Sequence, residues 1–176
     1  MVLISETMNA QMNEQIGNEM GASLRYVNMA AYFDKAGLPV LTQHFFRQAD
    51  EERQHAMKFV RYILDADGTV RIPAIPAPQS EFGSAEEAVS LALEWELTVT
   101  KQINDLLDLA AREHDYLAHD VLEWFAREQL EECSSMDTLL KMIRRTGESG
   151  LMLVENAIAS GQVLSLGVGG GEGERA

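Results

Sequence analysis

The sequence predicts an all-α protein: a four-helix bundle with one long crossover and a short fifth helix at its C-terminal end. Three observations predict it. Apolar residues recur at alternating steps of three and four through four stretches of about thirty residues each. The breaks after the first and third stretches are short and polar or glycine-bearing. The middle break, TVRIPAIPAPQSEFG, holds three prolines and is read as a long extended connection.

The first helix runs from about Ser5 to Ala36 and stops at Gly37. The second opens with Pro39, a favoured first-turn residue, and stops at Gly68. The third opens at Ser84, with Glu87 three residues on in a capping-box pattern, and runs to about Glu113. A polar turn, EHDY, leads to the fourth, about Tyr116 to Thr146, which Gly147 stops. A short apolar fifth helix covers about Ser149 to Ser160. The expected organisation is one domain, residues 1–163, followed by a flexible Gly-rich tail, 164–176. Helices of this length span roughly 40–45 Å. Short links make each neighbouring pair an antiparallel hairpin, and the proline-rich link carries the chain from one end of the bundle to the other.

Composition narrows the function. A chain of 176 residues with 46% hydrophobic content suits one sizeable core. Acids outnumber bases 28 to 14, a formal charge of −14, which argues against nucleic-acid binding and is compatible with attracting cations. The one cysteine, Cys133, permits no intrachain disulfide, and a cytoplasmic location is expected. The segment MVLISETMNAQ has no secretory pattern, and no apolar run reaches the roughly eighteen residues of a membrane span.

Each stripe is interrupted near its middle. They read Met12, Ile16, Glu19, Ser23, Tyr26, Ala30, Phe33; then Phe45, Gln48, Glu52, His55, Phe59, Tyr62, Ala66; then Val89, Ala92, Glu96, Val99, Ile103, Leu106, Ala110; then Leu122, Phe125, Gln129, Glu132, Met136, Leu139, Ile143. Adding 77 takes Glu19 to Glu96, Glu52 to Gln129, His55 to Glu132 and Glu51 to Glu128. The two hairpins thus place polar residues at matching heights, like a pseudo-twofold repeat. A single buried Glu is ordinarily partly exposed or half of an ion pair. Four stripes broken at one level are different, because an unpaired buried carboxylate costs on the order of several kcal/mol. Arg53 and Arg127, the basic residues beside the cluster in sequence, lie off the stripes. The carboxylates must then be protonated or bind metal.

The spacing favours metal. Glu52 and His55, and Gln129 and Glu132, are three apart and share a helix face. Hard oxygen donors with one imidazole suit iron or manganese better than structural zinc.

These segments resemble a bacterial non-haem ferritin of the actinobacterial kind over roughly residues 5 to 160. The motifs are NEMGASLRY around Glu19, DEERQHAM around Glu52 and His55, EWELTVTKQIN around Glu96, and WFAREQLEE around Gln129. The resemblance implies an iron-storing ferroxidase, oxidising Fe(II) to Fe(III) with dioxygen or peroxide. It implies that Glu19, Glu52 and His55 bind one iron, that Glu52 bridges to a second held by Glu96 and Glu132, and that Gln129 belongs to the metal site too, beside the oxygen position. Glu51, Glu128 and Glu131 resemble a third iron site, and Tyr26 a central electron donor or, equally, a core aromatic. It implies a hollow homo-oligomer of 24 subunits with the fifth helix at the fourfold axes, and a reductase or ferredoxin partner for iron release. Haem-containing bacterioferritins carry a histidine at the place of Glu132 and a methionine at that of Arg53, so no haem is expected. A Cys-rich rubredoxin segment, the mark of a rubrerythrin, is missing. Asp115, His119, Asp120 and Glu123 either line iron-access pores or form a solvated acidic face. Trp95 and Trp124 are expected to be packing residues, and Cys133 a small buried one. His44 and His114 carry no signal.

Overall fold

This computed structural model describes residues 3–161. The chain forms α1 (Glu6–Lys35), α2 (Pro39–Asp65), α3 (Ala85–Glu113), α4 (Tyr116–Thr146) and α5 (Leu151–Ala159). The last is entered through a 3-10 turn at Glu148–Gly150, which takes the place of the helix start expected at Ser149. The Gly-rich tail, 164–176, and the domain boundary before it lie outside the described residues.

The helices begin where side chains can accept their free N–H groups. Ser5 Oγ accepts from Met8 N–H at 2.9 Å, Ser84 Oγ from Glu87 N–H at 3.0 Å, and Asp115 Oδ1 from Ala118 N–H at 2.9 Å. α2 has no such cap within its own sequence. Its acceptor comes from α5: Glu155 Oε1 takes the N–H groups of Val40 and Leu41 at 2.8 and 2.9 Å. Glu148 Oε1 likewise takes Ala85 N–H at 2.9 Å, at the start of α3. Gly37 ends the first turn of direction with φ +75, and the α3–α4 turn uses His114 at φ 56, in the left-handed region that few side chains enter.

These bonds fix the topology. Leu3 N–H donates to Ala66 O at 2.9 Å, and Ser5 Oγ donates to Glu113 at 2.6 Å. The start of α1 and the ends of α2 and α3 therefore share one end of the bundle. The starts of α2 and α3 and the end of α4 share the other, so α2 and α3 run parallel. The 66–84 link must span the whole bundle, about 40 Å for a helix the length of α2. Extended, it reaches roughly 60 Å.

α1 holds this link like a strand partner. Asn9 Oδ1 accepts from Thr69 N–H at 2.9 Å and Asn9 Nδ2 donates to Thr69 O at 3.1 Å. Asn13 Nδ2 donates to the same carbonyl at 2.9 Å, and Asn28 Nδ2 to Gln79 O at 2.9 Å. Gly17 lets Pro73 close: a Cβ there would lie 2.4 Å from Pro73 Cγ.

Among the described residues the core forms two apolar clusters. One contains Tyr26, Phe33, Phe45, Val89, Met136 and Leu139, with Leu151, Val154 and Ile158 from α5. The other contains Met12, Ile16, Phe59, Val99, Leu122 and Phe125. Phe33 stacks on Phe45 (5.2 Å, 12°) and Phe59 on Phe125 (4.1 Å, 16°), tying α1 to α2 and α2 to α4. Burial of each such ring is worth about 1.5–3 kcal/mol. No helix among the described residues is long and apolar enough to cross a membrane.

Candidate metal centre

On each long helix the stripe passes from one apolar cluster to the other through a polar residue: Glu19 between Ile16 and Tyr26, Glu52 between Ala49 and Ala56, Glu96 between Ala92 and Val99, and Gln129 and Glu132 between Phe125 and Met136. The polar layer is buried: Glu19 0%, Glu52 2%, Glu96 1%, His55 5% and Gln129 3% exposed. The Glu132 side chain, at 11%, is the one nearest solvent.

Four helices bring these side chains together. One ligand-capable atom each from Glu19, Glu52 and His55 lie within 4.8 Å of one another, and so do atoms of Glu52, Glu96 and Glu132. Glu52 belongs to both groups. His55 Nδ1 faces Glu52 Oε2 at 3.4 Å and Glu132 Oε1 at 3.6 Å. Yet His55 Nδ1, Glu52 Oε2 and Glu19 Oε2 have no hydrogen-bond partner at all. Buried polar atoms are nearly always satisfied, and each orphan costs about 1–3 kcal/mol.

No cation of the described residues compensates. Arg53 and Arg127 are exposed, and the ion pairs of the described lysines and arginines all lie on the surface. Burial therefore pushes the Glu52 and Glu132 carboxyls well above the ordinary range, their carboxylate neighbours adding to it. Glu19 is raised by the same burial. Glu96 rises to about 7, chiefly by burial, although Tyr26 and Gln129 donate to it and oppose the rise. Burial, helped by Lys58, lowers His55 to about 4, so its imidazole is neutral at pH 7. Crowded carboxyls and a neutral imidazole with orphaned donor atoms are what divalent cations relieve. The donor set fits two hard cations sharing Glu52.

Further residues aim these ligands. Tyr26 donates from its hydroxyl to Glu96 Oε1, and burial and the surrounding carboxylates raise its pKa. Gln129 Nε2 donates to Glu132 Oε2 at 2.5 Å and more weakly to Glu96 Oε2 at 3.4 Å. Its Oε1 faces Thr100 Oγ1 at 2.9 Å. So placed, Gln129 offers N–H donors to the centre, and its amide would have to turn over to ligate a metal.

Glu51 and Glu128 flank this layer. Gln48 donates to Glu51, burial raises both carboxyls, and each adds repulsion at Glu132. Glu131 is exposed. These three do not gather as tightly as the two groups around Glu52. Asp115 serves as the α4 cap, His119 Nδ1 lies 3.5 Å from Glu123, and Asp120 is exposed. Trp95 carries Arg25 over its ring at 4.0 Å; Trp124 carries Lys58 at 3.4 Å and stands edge-on to His55. Cys133 is half-buried, not buried, with Thr100 Oγ1 at 3.3 Å. His44 is buried beside Phe45 and lowered to about 4.

Two residues of the centre's surroundings escape a stripe-based reading. Thr100 lies off the α3 stripe. Gln15 lies off the α1 stripe, is 2% exposed, and donates from Nε2 to Glu19 Oε1 at 2.9 Å. Its spacing, four residues before Glu19, was the available signal.

The chain as a whole is similar to known proteins. The family described as ferritin-like domain matches residues 9–146. The chain is 43% identical over 151 residues to Ferritin BfrB of Mycobacterium tuberculosis, covering 86% of this chain and 83% of that one. It is 33% identical over 160 residues to a bacterial non-heme ferritin of Staphylococcus haemolyticus, covering 90% and 96%. The solved open pore ferritin of Archaeoglobus fulgidus superposes with a TM-score of 0.86 at 33% identity, covering 90% of this chain and 98% of that one.

Proposed function

This chain belongs to the ferritin family, and on that premise we propose that it oxidises Fe(II) at the Glu52-centred layer and stores the ferric product as mineral. The observation that carries the reading is the place of Glu52 in both three-residue groups. Iron is the substrate. One ferrous ion is held by Glu19, Glu52 and His55, and the other by Glu52, Glu96 and Glu132. Each gives one electron, and dioxygen takes two electrons and two protons to become hydrogen peroxide, itself an alternative oxidant. Anionic oxygen ligands favour the more highly charged ferric ion.

The surrounding residues have separate tasks in this account. Gln129 directs N–H donors beside the place where oxygen is reduced. Tyr26 is kept protonated against Glu96 and is placed to give one further electron, which together with one from a third Fe(II) and two protons from solvent takes the peroxide to two waters, the Tyr26 proton passing to the Glu96 carboxylate. Glu51, Glu128 and Glu131 form a third, looser iron site. No haem takes part, since Arg53 stands beside the bridging glutamate.

Mineral needs a cavity that a lone bundle does not enclose. The proposed assembly is a 24-subunit homo-oligomeric shell in the cytoplasm, with the exposed Met152 and Leu153 of α5 turned to neighbouring copies. A reductase or ferredoxin would release the iron. Storage is tested by adding a large excess of Fe(II) to the aerobic protein and measuring sedimentation with iron analysis. Hundreds of irons per shell should co-sediment with the protein. Precipitation of the iron apart from the protein, or a small oligomer, contradicts the proposal.

A further inference from the structure

We infer that Gln15 is a positioning residue that holds Glu19 as a one-oxygen ligand and thereby sets the affinity of the metal position it shares with Glu52 and His55. The inference rests on the reading of the Glu52 layer as a two-metal centre.

Glu19 has two carboxylate oxygens with opposite surroundings. Oε1 accepts from Gln15 Nε2 at 2.9 Å. Oε2 has no partner and belongs to a side chain whose ligand atom converges with those of Glu52 and His55. Gln15 is itself pinned. It is 2% exposed, and its Oε1 accepts from Asn18 Nδ2 at 3.3 Å, which turns the amide so that its N–H faces Glu19. One oxygen is thus committed to an uncharged donor and the other is left for a cation. An amide donor stabilises the ionised Glu19 without adding a competing charge, as an outer partner does for a metal ligand. In the same group Glu52 Oε2 and His55 Nδ1 are unpartnered.

The test uses Co(II), which binds without being oxidised by air under these conditions, followed by calorimetry and by its visible d–d absorption. The assembled wild-type protein is compared with Gln15→Met and Asn18→Ala. Wild type should bind two Co(II) per chain at the layer, with Glu19→Gln abolishing one. Gln15→Met should weaken one of the two by about 10-fold, the scale seen for loss of an outer hydrogen-bond partner. It should leave the other, at Glu52, Glu96 and Glu132, within about 2-fold and change the d–d spectrum of the weakened ion only. A merely structural loss would weaken both. Asn18→Ala, which spares the buried core if Gln15→Met fails to fold, should weaken the same position by a smaller factor. Two unchanged affinities in a folded variant overturn the role of Gln15 alone. A wild type that binds no Co(II) at the layer overturns the two-metal reading and, with it, this inference.

Discussion

His55 and Glu132 hold equivalent places in the two helix hairpins, 77 residues apart, and their side chains meet at 3.6 Å across the bundle. A histidine on one side faces a glutamate on the other, so the repeat converges on one centre with unlike ends. Among the described residues the four carboxylates around it share no internal cation, and that imbalance has consequences that can be measured.

The metal-free chain should lose stability as pH rises from about 6.5 to 8. Glu52, Glu96 and Glu132 have folded pKa values raised above their unfolded ones, Glu96 to about 7. Their contribution is fully present below the unfolded carboxyl pKa of about 4.3 and is lost as pH climbs through the folded values. His44 and His55, lowered to about 4, act in the opposite sense, but only below about pH 6.5, where an unfolded histidine takes up a proton. Denaturant unfolding with chelator should show a loss on the order of 1 kcal/mol over that window from Glu96 alone. Saturating Zn(II) should flatten or reverse the slope. A metal-free protein that gains stability over the same window contradicts these directions.

Much of this was legible beforehand. The three-four stripe positions are buried with three exceptions, Ser23, Tyr62 and Glu132, which are half-buried. Helical periodicity fixes which face is buried, so the sequence alone places Glu19, Glu52, His55, Glu96 and Gln129 inward. Periodicity says nothing of contacts between distant elements. The pairing of Glu155 with Val40 and of Asn9 with Thr69 are tertiary, and neither residue lies on a stripe. The orientation of the Gln129 amide depends on Thr100, on another helix.

Glu155→Ala should uncouple α5 from α2. The carboxylate is 4% exposed and accepts two N–H groups at the start of a helix that has no cap of its own. Loss of a cap costs about 0.5–2 kcal/mol, and here one buried and one part-buried donor are left unpaired. Hydrogen exchange should show faster exchange at Val40, Leu41 and throughout α5, with the Glu52 layer unaffected. Unchanged protection at Val40 and Leu41 would show that α5 is seated by its apolar face alone.

Gly17→Val should loosen the crossover. Its side chain would overlap Pro73, 2.4 Å from the Cβ position, and lift the link off α1. Overpacking of this kind costs about 1–3 kcal/mol. Limited proteolysis should cut first within 69–79, where wild type is held by Asn9, Asn13 and Asn28. Equal cleavage rates in the two proteins would count against the packing argument.

Tyr26→Phe removes the hydroxyl that donates to Glu96. Metal stoichiometry at the layer should persist, since Tyr26 belongs to neither metal-competent group. Rapid-freeze EPR during aerobic iron addition should show a tyrosyl radical in wild type and none in the variant. A radical of equal size in Tyr26→Phe would place the extra electron elsewhere.

The most direct test of the central claim is stopped-flow absorbance after mixing Fe(II) with the aerobic metal-free protein, alongside Glu52→Ala/His55→Ala. The account predicts a fast phase saturating near two irons per chain, absent from the double variant, with the shell still assembled. A variant that oxidises iron as fast as wild type would contradict a two-iron centre built on Glu52.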